Sequence, residues 1–206
     1  ISLASTPNYT PFSITKGTLI VDQTVNLDNA ADSYNKSDFI NSSVDVNSSI
    51  TGSNTGQLGV GQVNYGTGAA PVDRAIITIN NNNVIDMSGN KSTGILADFG
   101  DITNTGAGSF IKVTGEESVG IYGANGTISK NTGNIEIGST GIGIYGGNLL
   151  TASAPGYGDQ KIEIENDGLI TLNSTNERAY GIYAGNLDTA IPITDSAIIL
   201  GGNSII

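Results

Sequence analysis

Apolar residues fall at every second place in several short stretches, each headed by a turn rich in Asn and Gly. Asn81-Asn82-Asn83 leads into Val84-Ile85-Asp86-Met87, Asn131-Thr132-Gly133-Asn134 into Ile135-Glu136-Ile137, and Asn166-Asp167-Gly168 into Leu169-Ile170-Thr171-Leu172. The copy at Asn104-Thr105-Gly106 carries extra residues before Ile111-Lys112-Val113, so its register is looser. Alternation with period two after such a turn predicts a short strand with one buried face. A tetrapeptide follows each stretch: Gly94-Ile95-Leu96-Ala97, Gly120-Ile121-Tyr122-Gly123, Gly143-Ile144-Tyr145-Gly146 and Gly181-Ile182-Tyr183-Ala184. Their glycines are 26, 23 and 38 residues apart. A third element comes seven residues after the tetrapeptide Ile, at Ile102 and at Ile128, with Ile164 as the third copy. On that count 13 extra residues fall within Asn148–Gln160, which reads as one loop inserted into a regular repeat.

Three short strands and three turns account for a repeat of 23 to 26 residues. The fold class predicted is therefore all-β, a right-handed single-stranded parallel β-helix, or solenoid. The expected inward column comprises Ile85, Ile95, Ile111, Ile121, Ile135, Ile137, Ile144, Ile170, Leu172 and Ile182, where β-branching suits a stacked sheet. An antiparallel sandwich fits the composition but gives no reason for four near-identical tetrapeptides. Residues 1–72 follow the pattern less well and read as irregular coils or a cap over an open edge. Within them, Leu58-Gly59-Val60-Gly61 resembles the tetrapeptide region and Val44-Asp45-Val46 a strand. The regular coils run from residue 73 to 206, with the inserted loop at 148–160.

Composition narrows the chemistry. The 206 residues include 29 Gly, no Cys and no His, and only 13% are charged. Without Cys or His, the common nucleophile–base pairs are unavailable. The net charge is −11 with only 8 Lys plus Arg, which argues against nucleic acid and anionic lipid as partners. No apolar run reaches the length of a membrane span, so direct membrane insertion is not expected. Both ends read as processing or fragment boundaries. Asp98 and Asp101 follow one tetrapeptide, and Glu116 and Glu117 precede the next, so folding could bring these acids onto one face. A glycosidase or lyase would need such a pair. The Thr-Gly-Glu-Glu setting is, however, an ordinary solvated turn. No metal site, cofactor or catalytic residue is expected.

The Asn that heads each repeat could form a ligand-binding array, but a turn role with amides bonded from rung to rung is the stronger reading. Strand parity turns Leu96, Tyr122, Tyr145 and Tyr183 outward as one row. That row either contacts a glycan or protein, through the apolar face and polar tip of Tyr, or packs on itself or beneath a loop. The inserted loop, with Pro155 and Tyr157, is the other ligand-contact candidate, since solenoid insertions project from one face.

The combination of Asn-x-Gly-x-Ile-x-Ile with Gly-Ile-Tyr-Ala/Gly, over Ile76–Ile206, resembles the passenger repeats of large type V autotransporter adhesins of Gram-negative anaerobic bacteria. The resemblance implies a cell-surface location, a separate C-terminal β-barrel anchor, and further passenger coils in the parent chain. It also implies a host receptor, a host glycan or another bacterial surface as partner, with no catalysis. A polysaccharide lyase or glycosidase and a non-binding structural stalk are the alternatives on the same fold.

Overall fold

In the computed structural model, residues 15–29, 40–62, 77–98, 100–106, 108–124, 127–147, 162–173, 179–185 and 197–206 are described. They form three parallel sheets, A, B and C, and from residue 40 onward the described strands visit them in that order. Sheet A stacks β1 (Thr15–Val21), β3 (Ile40–Val46), β6 (Ile77–Asn81), β9 (Gly100–Asn104), β12 (Ile128–Asn131), β15 (Glu163–Asn166) and β18 (Ala197–Leu200). Sheet B stacks β2 (Val25–Asn26), β4 (Ile50–Gly52), β7 (Val84–Met87), β10 (Phe110–Val113), β13 (Asn134–Ile137) and β16 (Leu169–Leu172). Sheet C stacks β5 (Leu58–Gln62), β8 (Thr93–Asp98), β11 (Val119–Ala124), β14 (Ile142–Gly147) and β17 (Tyr180–Ala184). Each strand pairs with the equivalent strand of the next triplet, as in Ile85↔Ile111↔Ile135↔Ile170. The first triplets belong to the same sheets: Val44 lies opposite Ile79, and Val60 opposite Ile95.

One apolar core joins all three sheets. Of the expected inward residues, Ile85, Ile95, Ile111, Ile121, Ile135, Ile137, Ile144 and Ile170 are buried, and Leu172 and Ile182 pack partly buried against them. Sheet A adds Val44, Val46, Ile79, Ile102 and Ile164. Its register corrects one expectation. Ile128 does not occupy the place of Ile102; Ser129 does, with Ile102 on one side and Ile164 on the other. Ile128 turns outward between Asp101 and Glu163. The register follows the Asn two residues further on, at Asn104, Asn131 and Asn166, rather than the count from the tetrapeptide.

Those asparagines explain the grip. Asn81 Nδ2 donates to Asn104 Oδ1 at 2.8 Å, Asn104 to Asn131 at 2.7 Å, and Asn131 to Asn166 at 2.7 Å. All four are buried, and Asn166 closes the row on Ser204 Oγ at 2.6 Å. A buried amide must be satisfied, so a slip in register would orphan the whole ladder at once.

The glycine opening each tetrapeptide has a steric cause. A Cβ on Gly120 would lie 2.6 Å from the carbonyl oxygen of Gly143 and 3.0 Å from Ile135 Cγ2. Gly59 and Gly94 meet the next triplet's glycine carbonyl in the same way. Backbone of a neighbouring strand cannot move aside cheaply. Gly120→Ala should therefore cost about 1–3 kcal/mol, as overpacking does. Urea melts would check this, and an unchanged midpoint would show that the strand yields.

Turns between sheets B and C share another feature: Gly56, Lys91, Glu117 and Thr140 all have positive φ, between 55° and 75°. Beside them, Asp28 holds the second triplet's turn. Its carboxylate accepts from Ser53 Oγ at 2.6 Å, Ser53 N–H at 2.7 Å, Gln57 Nε2 at 3.1 Å and Asn54 N–H at 3.3 Å. The Ser53 hydroxyl, then the Ser53 amide, hold its pKa below the ordinary carboxylate value. A depressed carboxylate contributes stability above its unfolded pKa and loses it as pH falls through the folded one. Melting temperature should thus drop below about pH 4, and Asp28→Asn should remove that part of the drop. Superimposable acid profiles for parent and variant would count against this role.

Candidate binding surface

The row Leu96, Tyr122, Tyr145, Tyr183 exists as expected: the four are consecutive partners in sheet C. The rings stack on one another. Tyr122 and Tyr145 have centroids 4.6 Å apart, tilted by 51°, and Tyr145 and Tyr183 are 5.7 Å apart, tilted by 38°. Tilted contacts at this distance suit the ring quadrupoles.

Exposure along the row is uneven. Leu96 is 8% exposed and Tyr145 only 4%, so neither offers much surface to a ligand. Tyr122 is half-buried, and Tyr183 is open at 39%. The Tyr145 ring lies along its own strand instead of projecting from it. A Cβ on Gly147 would come 2.5 Å from its hydroxyl, which donates to Gly185 O at 3.4 Å. Gly147 makes room for this posture, and Gly185 does the same for the Tyr183 ring. Burial, then the neighbouring Tyr183, push the Tyr145 phenol up to about 12, partly offset by a hydrogen bond with Tyr122. It stays neutral at physiological pH.

Tyr180 was not singled out in the sequence, yet it is 50% exposed and meets Tyr183 edge-on, with centroids 5.7 Å apart at 62°. It belongs to a second row on sheet C, whose members in register are Leu58, Thr93, Val119, Ile142 and Tyr180. Comparing the residue before each tetrapeptide glycine would have found its last member.

No protein-family model, curated protein or solved structure matches the chain.

The remaining candidates sort by position. Pro155, Tyr157 and the loop at 148–160 lie outside the described residues. The head-of-repeat asparagines are buried and spend their amides on one another. That is the turn-and-ladder role, and it leaves them no surface for a ligand. The two acid pairs do not share a face. Glu116 and Glu117 sit exposed in the turn before β11, whereas Asp98 ends β8 and Asp101 lies in β9. The length of a sheet C strand separates them, roughly 15–20 Å at about 3.3 Å per residue. Acid–base pairs in glycoside hydrolysis stand about 5–9.5 Å apart, so the Asp pair and the Glu pair do not act together. Glu117 instead pairs with Lys91 across triplets at 3.5 Å. Among the described residues, no group of three or more His, Cys, Asp or Glu could hold a metal ion.

Proposed function

We propose that this chain forms coils of a right-handed parallel β-helix in the passenger of a bacterial cell-surface adhesin. It would act by contact alone, with a protein or glycan of a host cell or another bacterium. Two features support the fold part: the rotation of the chain through three parallel sheets, and one core shared by all three. The right hand follows from the strong preference of parallel crossovers.

The adhesive part is carried by the outward tyrosines of sheet C: Tyr122 is partly exposed, and Tyr180 and Tyr183 are exposed and meet edge-on. Tyr is favoured as a recognition anchor because a rigid ring brings much apolar area with a polar tip and little entropy to lose. The test is a glycan and cell-binding screen with the 206-residue protein, beside the double variant Tyr180→Ala with Tyr183→Ala. The double variant is expected to bind at least tenfold more weakly while melting like the parent. Equal binding by both would remove the pair from the surface, and no binding by the parent would leave a spacer. The burial of Leu96 and Tyr145 favours that second reading, because half of the expected row serves packing.

A further inference from the structure

The outward faces of the three sheets differ in chemistry. Sheet A turns Asp101, Lys130, Glu163 and Glu165 outward, and sheet B turns Asp86, Lys112 and Glu136 outward. Each alternates with buried neighbours, as Lys112 does between Ile111 and Val113. Sheet C is different. Its five strands contain one charged residue, Asp98 at the end of β8. Thr93, Val119 and Ile142 in one outward row and Tyr122 in the other are partly exposed. They lie in β8, β11 and β14, each paired on both sides, so no open sheet edge accounts for their exposure.

Apolar residues scattered singly on a surface are ordinary, but a continuous band rimmed by polar groups marks a contact site. This band is narrow. Val119 and Tyr122 set its width, about 10 Å for three residues at about 3.3 Å each. Its length follows the stacked coils at about 4.8 Å per strand. A compact protein patch of about 800 Å² per partner is roughly 30 Å across, far wider than this. Along one border run the turns between sheets B and C, which expose Asn90, Lys91 and Glu117. An apolar floor with a few polar groups beside it is the make-up of a small-ligand site.

We infer, resting on the adhesin reading, that the outward band of sheet C binds a neutral glycan chain laid along the axis of the coils. Sugar rings present C–H faces to Val119, Ile142 and the Tyr122 ring, while the hydroxyls at their edges reach the border turns. Tyr145, stacked on Tyr122 at 4.6 Å, holds that ring in place, so little freedom is lost on binding. Neutrality follows from charge. The field of a chain with net charge −11 repels sialylated, uronic or sulfated chains. No Lys or Arg stands on the strands of sheet C to hold an anionic group, and Lys91 in the border turn is paired with Glu117 at 3.5 Å.

The test is an array of neutral and acidic oligosaccharides, probed with the 206-residue protein at low and at high salt. Binding confined to neutral chains and unchanged by salt is the expected result. Val119→Ser combined with Ile142→Ser should weaken it roughly tenfold, a loss of about 1.4 kcal/mol, because both remove apolar floor. If that double variant melts lower than the parent, Thr93→Glu, at a partly exposed polar position of the same row, should weaken binding by a similar factor. Preference for acidic chains, or binding that falls with salt, would overturn the inference and leave the adhesin reading standing. So would equal binding to host cells after enzymatic removal of their glycans, which points to a protein partner. Equal affinity in the parent and every variant would take the glycan off sheet C. Binding to neither cells nor glycans would sink the adhesin reading itself and this inference with it.

Discussion

Ile144→Asp is expected to abolish cooperative folding at neutral pH. Ile144 is fully buried, pairs with Ile121 below and Ile182 above, and belongs to the one core that joins the three sheets. Losing its side chain alone would cost about 2–5 kcal/mol. The carboxylate then has no partner in an apolar column and must be neutralised against its ordinary pKa, at about 1.4 kcal/mol per unit. The sum approaches the roughly 5–15 kcal/mol that holds a domain together. Ile144→Val, which keeps the shape and removes one methyl, should cost only about 1 kcal/mol. Circular dichroism in urea separates the two. An Asp variant that unfolds at the parent's midpoint would refute the inward placement of this residue.

The second large effect is expected at Asn131→Ala, a loss of roughly 3–5 kcal/mol. Asn131 is the middle rung of the ladder, accepting from Asn104 and donating to Asn166. Removing it leaves Asn104 Nδ2 and Asn166 Oδ1 facing an empty space in the interior. A buried polar group without its partner costs about 1–3 kcal/mol, and two are orphaned at once. Asn82→Ala provides the contrast, because Asn82 also bonds an asparagine of the previous triplet, Asn47 Oδ1 at 3.0 Å, but in solvent. Its loss should stay below about 1 kcal/mol, since water takes over the exchanged bonds. Equal effects at the two positions would mean that the ladder contributes no more than any surface pair.

These expectations depend on features that differ in how readily the sequence displays them. The three-strand repeat was legible because alternation and turn residues are local: Asn166-Asp167-Gly168 before Leu169-Ile170-Thr171-Leu172 announces its own strand. The stacking of Leu96, Tyr122, Tyr145 and Tyr183 was legible too, since equal positions in equal repeats must become neighbours. The place of Ser129 was not. Counting from Ile121 points to Ile128, and only the pull of a buried amide at Asn131 toward Asn104 and Asn166 puts Ser129 in the inward place.

The candidate surface divides in the same way. Parity along a strand says which side of a sheet a tyrosine leaves from, but the direction its ring then takes depends on its neighbours. Tyr145 lies flat because Gly147 leaves space for it, Gly185 accepts its hydroxyl, and rings stack on both sides. Tyr183 and Tyr180 are exposed. The acid pairs illustrate a further limit: Asp98 and Glu116 are near in sequence, yet strand length carries them to opposite ends of sheet C.

By itself, then, the sequence determined the repeat, many of the core positions in sheets B and C, and the chemistry of the turns, because each rests on the period of a strand or the conformational range of Asn and Gly. Tertiary structure alone decided the register at Ser129, the burial of Leu96 and Tyr145, and the separation of the acids. Those depend on which surfaces meet once strands from distant parts of the chain lie about 4.8 Å apart, and no local pattern records that distance.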